Sequence, residues 1–273
     1  MIDCHQHFWR YDAAQYGWID DSMAALKRDF LPDDLAPLMR AEGVTGTIAV
    51  QARQDDAETA WLLELAAQHP FIRGVVGWVD LQAQDVECRV ERLAATPRLL
   101  GVRHVVQAEP AGFLHHTAFR RGIAALEPTD LVYDILISAR QLPEAIRFAA
   151  AFPRQRFVLD HLGKPDVRGG GFDEWRRELA DLAALPHVWC KLSGLVTEAD
   201  WRAWTPSQLR PYLDAALEAF GPSRVMIGSD WPVCTLAAPY AGVLALARDA
   251  IADYSIDEQA QMLGKTAEDV YLS

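Results

Sequence analysis

The chain has 273 residues, 51% of them hydrophobic and 23% charged, a balance suited to one large globular domain. Its net charge of −12 argues against a nucleic-acid backbone or an anionic membrane surface as partner. Cys4, Cys88, Cys190 and Cys234 form no Cys-x-x-Cys pair, which sets aside zinc-ribbon and thioredoxin-like sites.

In chain order, short runs rich in Val, Ile and Leu occupy residues 2–9, 47–52, 74–81, 100–106, 131–137, 156–162, 188–195 and 224–229. Near-continuous apolar runs of this kind are how strands buried on both faces of a parallel sheet read. Stretches of helical period lie between or after them at 31–42, 56–69, 142–151, 172–185, 207–220, 240–253 and 256–263. Eight strands in this length predict a single-domain (β/α)8 TIM barrel over residues 1–273, not an open doubly wound sheet of about five or six strands. No run reaches the roughly 20 apolar residues of a membrane span. With a strand candidate already at Ile2 there is no room for a leader, so the expected location is the cytoplasm. Gly169, Gly170 and Gly171 suggest either a plain turn or a mobile lid.

In such a barrel, chemistry is done at the C-terminal strand ends. Polar residues gather at those ends here: Asp3-Cys4-His5-Gln6-His7, Gln51, Trp78 and Asp80, Arg103 and His104, Asp134, Asp160-His161, Lys191 and Ser193, and Ser229-Asp230. One such residue means little, but one on every strand exceeds what packing requires. His5 and His7, two apart on a strand, share a face and converge on one point. That arrangement suits a metal or an anionic oxygen, or else two ordinary buried histidines. Asp230 reads as a base or a helix cap, His161 as a site residue or a structural one, and Lys191 as a ligand or a loop lysine. Arg103 inside an apolar strand demands a polar partner or a substrate. Trp9, Trp18, Trp78 and Trp231 are core by default, though a tryptophan face also stacks on a sugar ring.

The Asp-x-His-x-His start, His161 on the sixth strand and Asp230 after the eighth resemble the amidohydrolase superfamily. Residues 3–9, 102–107, 159–165, 191–194 and 228–233 resemble its sugar-lactonase branch, that of the L-fuconolactonases and L-rhamnonolactonases. Hydrolases of 2-pyrone-4,6-dicarboxylate and 4-sulfomuconolactone are its relatives. The resemblance covers nearly the whole chain and is nearest the L-fuconolactonases. It implies hydrolysis of a small sugar lactone, L-fuconolactone to L-fuconate foremost.

The chemistry then assigns Asp230 as general base, with His5, His7 and His161 around the carbonyl oxygen. Arg103, His104, Gln51 and Lys191 would grip ring hydroxyls, and Trp78 or Trp231 would offer a flat wall. A lysine on strand four or a histidine on strand five, the usual further metal ligands of the superfamily, is replaced here by Arg103 and Asp134. The cofactor expectation is therefore no metal or a single zinc on His5, His7 and Asp230. A zinc-dependent decarboxylase would need the missing strand-five histidine. A barrel that only binds a ligand would have no use for a base opposite three donors.

Overall fold

Eight parallel strands pair strictly in sequence order. They are β1 (Ile2–Gln6), β2 (Gly46–Val50), β3 (Ile72–Gly77), β4 (Leu99–Val105), β5 (Val132–Leu136), β6 (Phe157–Leu159), β7 (Val188–Leu192) and β8 (Val225–Ile227). The computed structural model describes residues 1–273. Around the strands stand α1 (Pro32–Ala41), α2 (Asp56–Gln68), α3 (Val86–Ala94), α4 (Thr117–Leu126), α5 (Leu142–Ala150), α6 (Phe172–Ala183), α7 (Pro206–Phe220) and α8 (Tyr240–Ala250). A short α9 (Ile256–Ala260) runs on into π-helical turns that end at Leu272. This is the (β/α)8 barrel predicted from the sequence. No helix is long and apolar enough to cross a membrane.

Two elements escape the sequence pattern. In α3 only Val86 and Val90 are buried, too narrow a stripe to stand out among its charges. In α4, Gly122 looks like a breaker. It is there because a Cβ would sit 2.2 Å from the Leu81 carbonyl oxygen, where helix and loop touch.

Outward-facing strand residues pack against the helices, while Ile2, Cys4, Ile48, Val50, Val76, Val132, Val158 and Met226 fill the lower barrel interior. Ala267, Val270 and Tyr271 of the C-terminal segment close that floor from below. A register slip between Asp3 and Gln6 lets two successive residues face inward: Cys4 joins the floor and His5 the layer above. The barrel closes between β1 and the segment after β8 through His7 N–H to Trp231 O (2.6 Å) and Asp230 N–H to His5 O (2.8 Å). Asp3 completes this seam by accepting from the backbone N–H (2.8 Å) and hydroxyl (2.7 Å) of Ser229. Gly169, Gly170 and Gly171 form a tight turn on Asp166, whose side chain accepts from Gly169 N–H at 2.6 Å, and lead into α6.

Candidate active site

The seam that closes the barrel also delivers the site. His5 and His7 come off β1, His161 follows β6 and Asp230 follows β8. Asp230 Oδ1 lies 3.3 Å from His7 Nε2, 3.8 Å from His5 Nε2 and 3.9 Å from His161 Nε2. The Nε2 atoms of His5 and His7 are 3.2 Å apart. Asp230, His7 and His161 each keep 5–6% of their side chains exposed, whereas His5 is fully enclosed. The first three therefore face the mouth and His5 lies behind them.

Backbone strain marks the same residues. His161, Leu162, Gly163 and Lys164 run consecutively through the left-handed region at φ of 55°, 55°, 69° and 50°, and Asp230 stands at 57°. L side chains avoid this region, and such strain persists where surrounding structure enforces it, most often at functional sites. Gly194 makes room for the ring of His161, since a Cβ there would meet Nδ1 at 2.5 Å.

Each imidazole is oriented by a partner on its far side. The Val50 carbonyl can only accept, so His7 Nδ1, 2.8 Å away, carries the hydrogen and Nε2 is offered to the site. His161 Nδ1 meets the Ser193 hydroxyl at 2.9 Å. His5 Nδ1 faces Lys191 Nζ at 3.3 Å and Asp160 Oδ1 at 3.2 Å, and its Nε2 faces Arg103 Nη1 at 3.3 Å.

Beneath lies a buried charged layer. Lys191 is ion-paired with Asp134 and, at 3.0 Å, with Asp160, whose other oxygen accepts from Arg103 at 2.9 Å. Lys191, Asp134 and Asp160 are completely buried. Two cations balance two carboxylates, so no net charge is left in the interior.

Burial lowers His161 to about 4, even against the pull of Asp230 and Asp160, and it lowers His5 well below its usual value. Both are neutral at pH 7. Burial alone would raise Asp230, but His161, His7 and His5 around it hold it well below the carboxylate range, His161 being cationic by the acid pH at which Asp230 takes up its proton. Asp160 is held down in the same way by Lys191, His5 and Arg103, again against burial. Asp3 is lifted to about 6 by burial, with the Ser229 and Tyr240 hydrogen bonds opposing.

His5, His7, His161 and Asp230 thus come together as the sequence suggested, but the expected substrate grips are distributed otherwise. Lys191 is enclosed in ion pairs, because its strand position lies one layer deeper than the histidines. Arg103 is 4% exposed and spends its guanidinium on Asp160 and the Gln51 carbonyl. The Gln51 side chain, fully buried, donates back to Arg103 O at 3.3 Å. His104 stacks on Phe113 with centroids 4.9 Å apart and bonds Glu109 at 2.8 Å. Trp231 is core, edge-on to Phe30 at 5.4 Å and Phe8 at 6.1 Å. Trp78 lines a cleft between α2 and α3 with Leu63, Arg89 and Leu93 instead of joining the cluster.

Sequence reasoning placed Asp3, Asp134 and Asp160 at strand ends without giving them a part in the site, and passed over Tyr271. A charged residue in or at the end of an apolar strand was the signal for Asp134 and Asp160, as it was for Arg103. For Tyr271 there was no signal.

A divalent cation would find a fitting donor set. Ligand atoms of His5, His161 and Asp230 all lie within 4.8 Å of one another. Ligands about 2.1 Å from a tetrahedral zinc are about 3.4 Å apart, close to the spacings here. The set differs from the expected one in that His161 takes the place of His7. Arg103 Nη1 competes for the same His5 nitrogen.

A family model described as amidohydrolase matches residues 2–272. An L-fucono-1,5-lactonase of Burkholderia multivorans is 50% identical, the match covering 99% of this chain and 95% of that one. One from Burkholderia ambifaria is 39% identical, covering 86% of this chain and 81% of its own. A crystal structure of a Burkholderia multivorans amidohydrolase with bound zinc is 47% identical, with a TM-score of 0.95 over 99% of this chain and 98% of that one.

Proposed function

The chain belongs to the amidohydrolase family, and from that footing we propose that it hydrolyses L-fucono-1,5-lactone to L-fuconate with Asp230 as the general base. It is a lactone-hydrolysing enzyme. The observation that carries the assignment of roles is one carboxylate oxygen, Asp230 Oδ1, facing three imidazole nitrogens at 3.3–3.9 Å at the barrel mouth.

Asp230 takes a proton from water as the oxygen attacks the lactone carbonyl. As negative charge grows on that carbonyl oxygen, His161, whose Nδ1 accepts from the Ser193 hydroxyl, donates to it from Nε2. Each preorganised donor of this kind is worth about 10² to 10³ in rate. When the ring C–O bond breaks, protonated Asp230 returns its proton to the alcohol. The fully enclosed His5 acts from behind, keeping its neighbours in place.

His5, His161 and Asp230, with His7 beside them, are the residues that would hold one zinc. Bound there, a zinc would supply Lewis-acid polarisation of the carbonyl. None of the proton transfers above depends on it, because Asp230 and the histidines supply base and donors themselves.

The strand-five position that a decarboxylase would fill with histidine holds Asp134, engaged with Lys191, which disfavours that chemistry. Arg103 and Lys191 are already engaged with Asp160 and Asp134 below the site, which favours a neutral polyhydroxylated ring over a dicarboxylate, whose two charges would each want a bidentate arginine. The test is kcat/KM on L-fucono-1,5-lactone against 2-pyrone-4,6-dicarboxylate with one preparation, read by acid release. A clear preference for the sugar lactone is expected. Equal values, or a preference for the dicarboxylate, would overturn the substrate assignment.

A further inference from the structure

The C-terminal segment does more than cover the barrel floor. Tyr271, 5% exposed, packs there among Ile2, Val132 and Val158. Its hydroxyl donates to Asp134 Oδ1 at 2.5 Å. The other oxygen of Asp134 accepts from Lys191, whose ammonium also lies 5.4 Å above the Tyr271 ring. Lys191 in turn faces His5 Nδ1 at 3.3 Å, on the side of the ring opposite the mouth. A continuous polar column therefore runs from the last turn of the chain, up through an otherwise apolar floor, to the rear of a site histidine.

Such a column is not explained by stability. Buried ion pairs are commonly no better than apolar residues of equal volume, and often worse. The floor around this one is built of Val, Ile and Met, so an apolar filling was physically available. What the column does supply is location. Lys191 has a long flexible side chain, and an ammonium held only from above, by Asp160, has several rotamers open to it. Asp134 pulls it from the other side, and the Tyr271 hydroxyl fixes which oxygen of Asp134 is free to do so.

We propose that Tyr271 is a positioning residue for lactone hydrolysis: by bonding Asp134 it pins Lys191 behind His5 and so holds the His5 ring in register with His7 and Asp230. This rests on the lactonase reading for its kinetic arm, and the test keeps the two separable. Tyr271→Phe keeps the ring in the floor and removes only the hydroxyl. Val270→Ala loosens the same segment without touching the column, since Val270 joins it through no side-chain hydrogen bond. Both are compared with the wild-type chain by lactone kinetics, thermal melting and the ring-nitrogen NMR signals of the histidines, those of His5 assigned by its loss in His5→Asn.

Tyr271→Phe is expected to lower kcat by about 10-fold with KM within about twofold, the mark of a displaced group and not of lost substrate binding. The His5 ring signals shift. Val270→Ala lowers the melting temperature but leaves kcat and the His5 signals in place. If Tyr271→Phe keeps kcat within about twofold, or if Val270→Ala loses kcat equally, the segment is only a plug and the proposal fails. Should the wild-type chain open no lactone at all, the lactonase reading falls by itself. Unshifted His5 signals in Tyr271→Phe then overturn the positioning role independently.

Discussion

Replacing Asp230 by Asn removes a charge while keeping the outline of the side chain. The left-handed φ of 57° at this position is one that Asn tolerates as well as Asp. The backbone bonds of the turn, Asp230 N–H to His5 O and Cys234 N–H to Asp230 O, are untouched, so the barrel closes as before. What disappears is the one carboxylate oxygen facing all three Nε2 atoms. A positioned general base is worth about 10² to 10⁴ in rate, which is about 2.7 to 5.4 kcal/mol of barrel-mouth chemistry at about 1.36 kcal/mol per tenfold. The carboxylate approaches no imidazole nitrogen nearer than 3.3 Å, so the substitution is expected to move the melting temperature by only a few degrees. Continuous acid release from L-fucono-1,5-lactone, beside a melting curve on the same sample, measures both. The expected result is a folded protein with kcat down by at least about 100-fold and KM little changed. A folded variant that keeps more than about a tenth of the wild-type kcat refutes Asp230 as the base.

The remaining expectations concern its neighbours. Because burial depresses His161 to about 4, its neutral form persists well below the pH at which an ordinary histidine protonates. The acid limb of kcat/KM is therefore expected near pH 4, and a limb at about 6.5 would show that His161 does not govern it. The same shift means that the unfolded chain binds more protons than the folded one between about 6.5 and 4. Chemical denaturation should accordingly show this group's contribution to stability declining as pH falls through that window. Gly194→Ala places a Cβ 2.5 Å from His161 Nδ1 at a φ of +64°. It is expected to displace the ring from Ser193 and lower kcat by about 10-fold or more, with far-UV dichroism unchanged; wild-type turnover would show that the ring has room to give. Dialysis against a chelator is expected to leave at most one zinc per chain to remove and part of the activity in place. Complete loss restored stoichiometrically by zinc would show that the proton-transfer groups do not suffice.

The fold was legible because strands buried on both faces leave unbroken apolar runs, and all eight were visible. Their C-terminal limits were overrun wherever apolar residues continue beyond the ladder. Leu162 looks like strand six, yet it sits in a left-handed turn that no pattern of hydrophobicity announces. The four residues of the site were legible from their spacing and their strand ends. Depth was not. A sequence shows that Lys191 and Arg103 are polar residues on inward-facing strands, but not that they lie a layer below His7 and Asp230, already matched to Asp134 and Asp160. The slip in β1, which turns both Cys4 and His5 inward, could not be seen by counting residues in twos.

The seam carries a consequence for how the enzyme comes into being. His5 and His7 stand at the very start of the chain, Asp230 some two hundred residues later, and they meet only where β1 and β8 do. Contacts of such long sequence separation form late, because the loop they close runs from the first strand of the barrel to the last. A half-built barrel would already possess helices, a hydrophobic interior and His161, yet would hold no pair of base and donor. Turnover is thus a reporter of complete closure: during refolding, or during emergence from a ribosome, the lactone stays intact until the final strand has docked against the first. Any lesion that lets this junction breathe will silence the enzyme before it melts the protein.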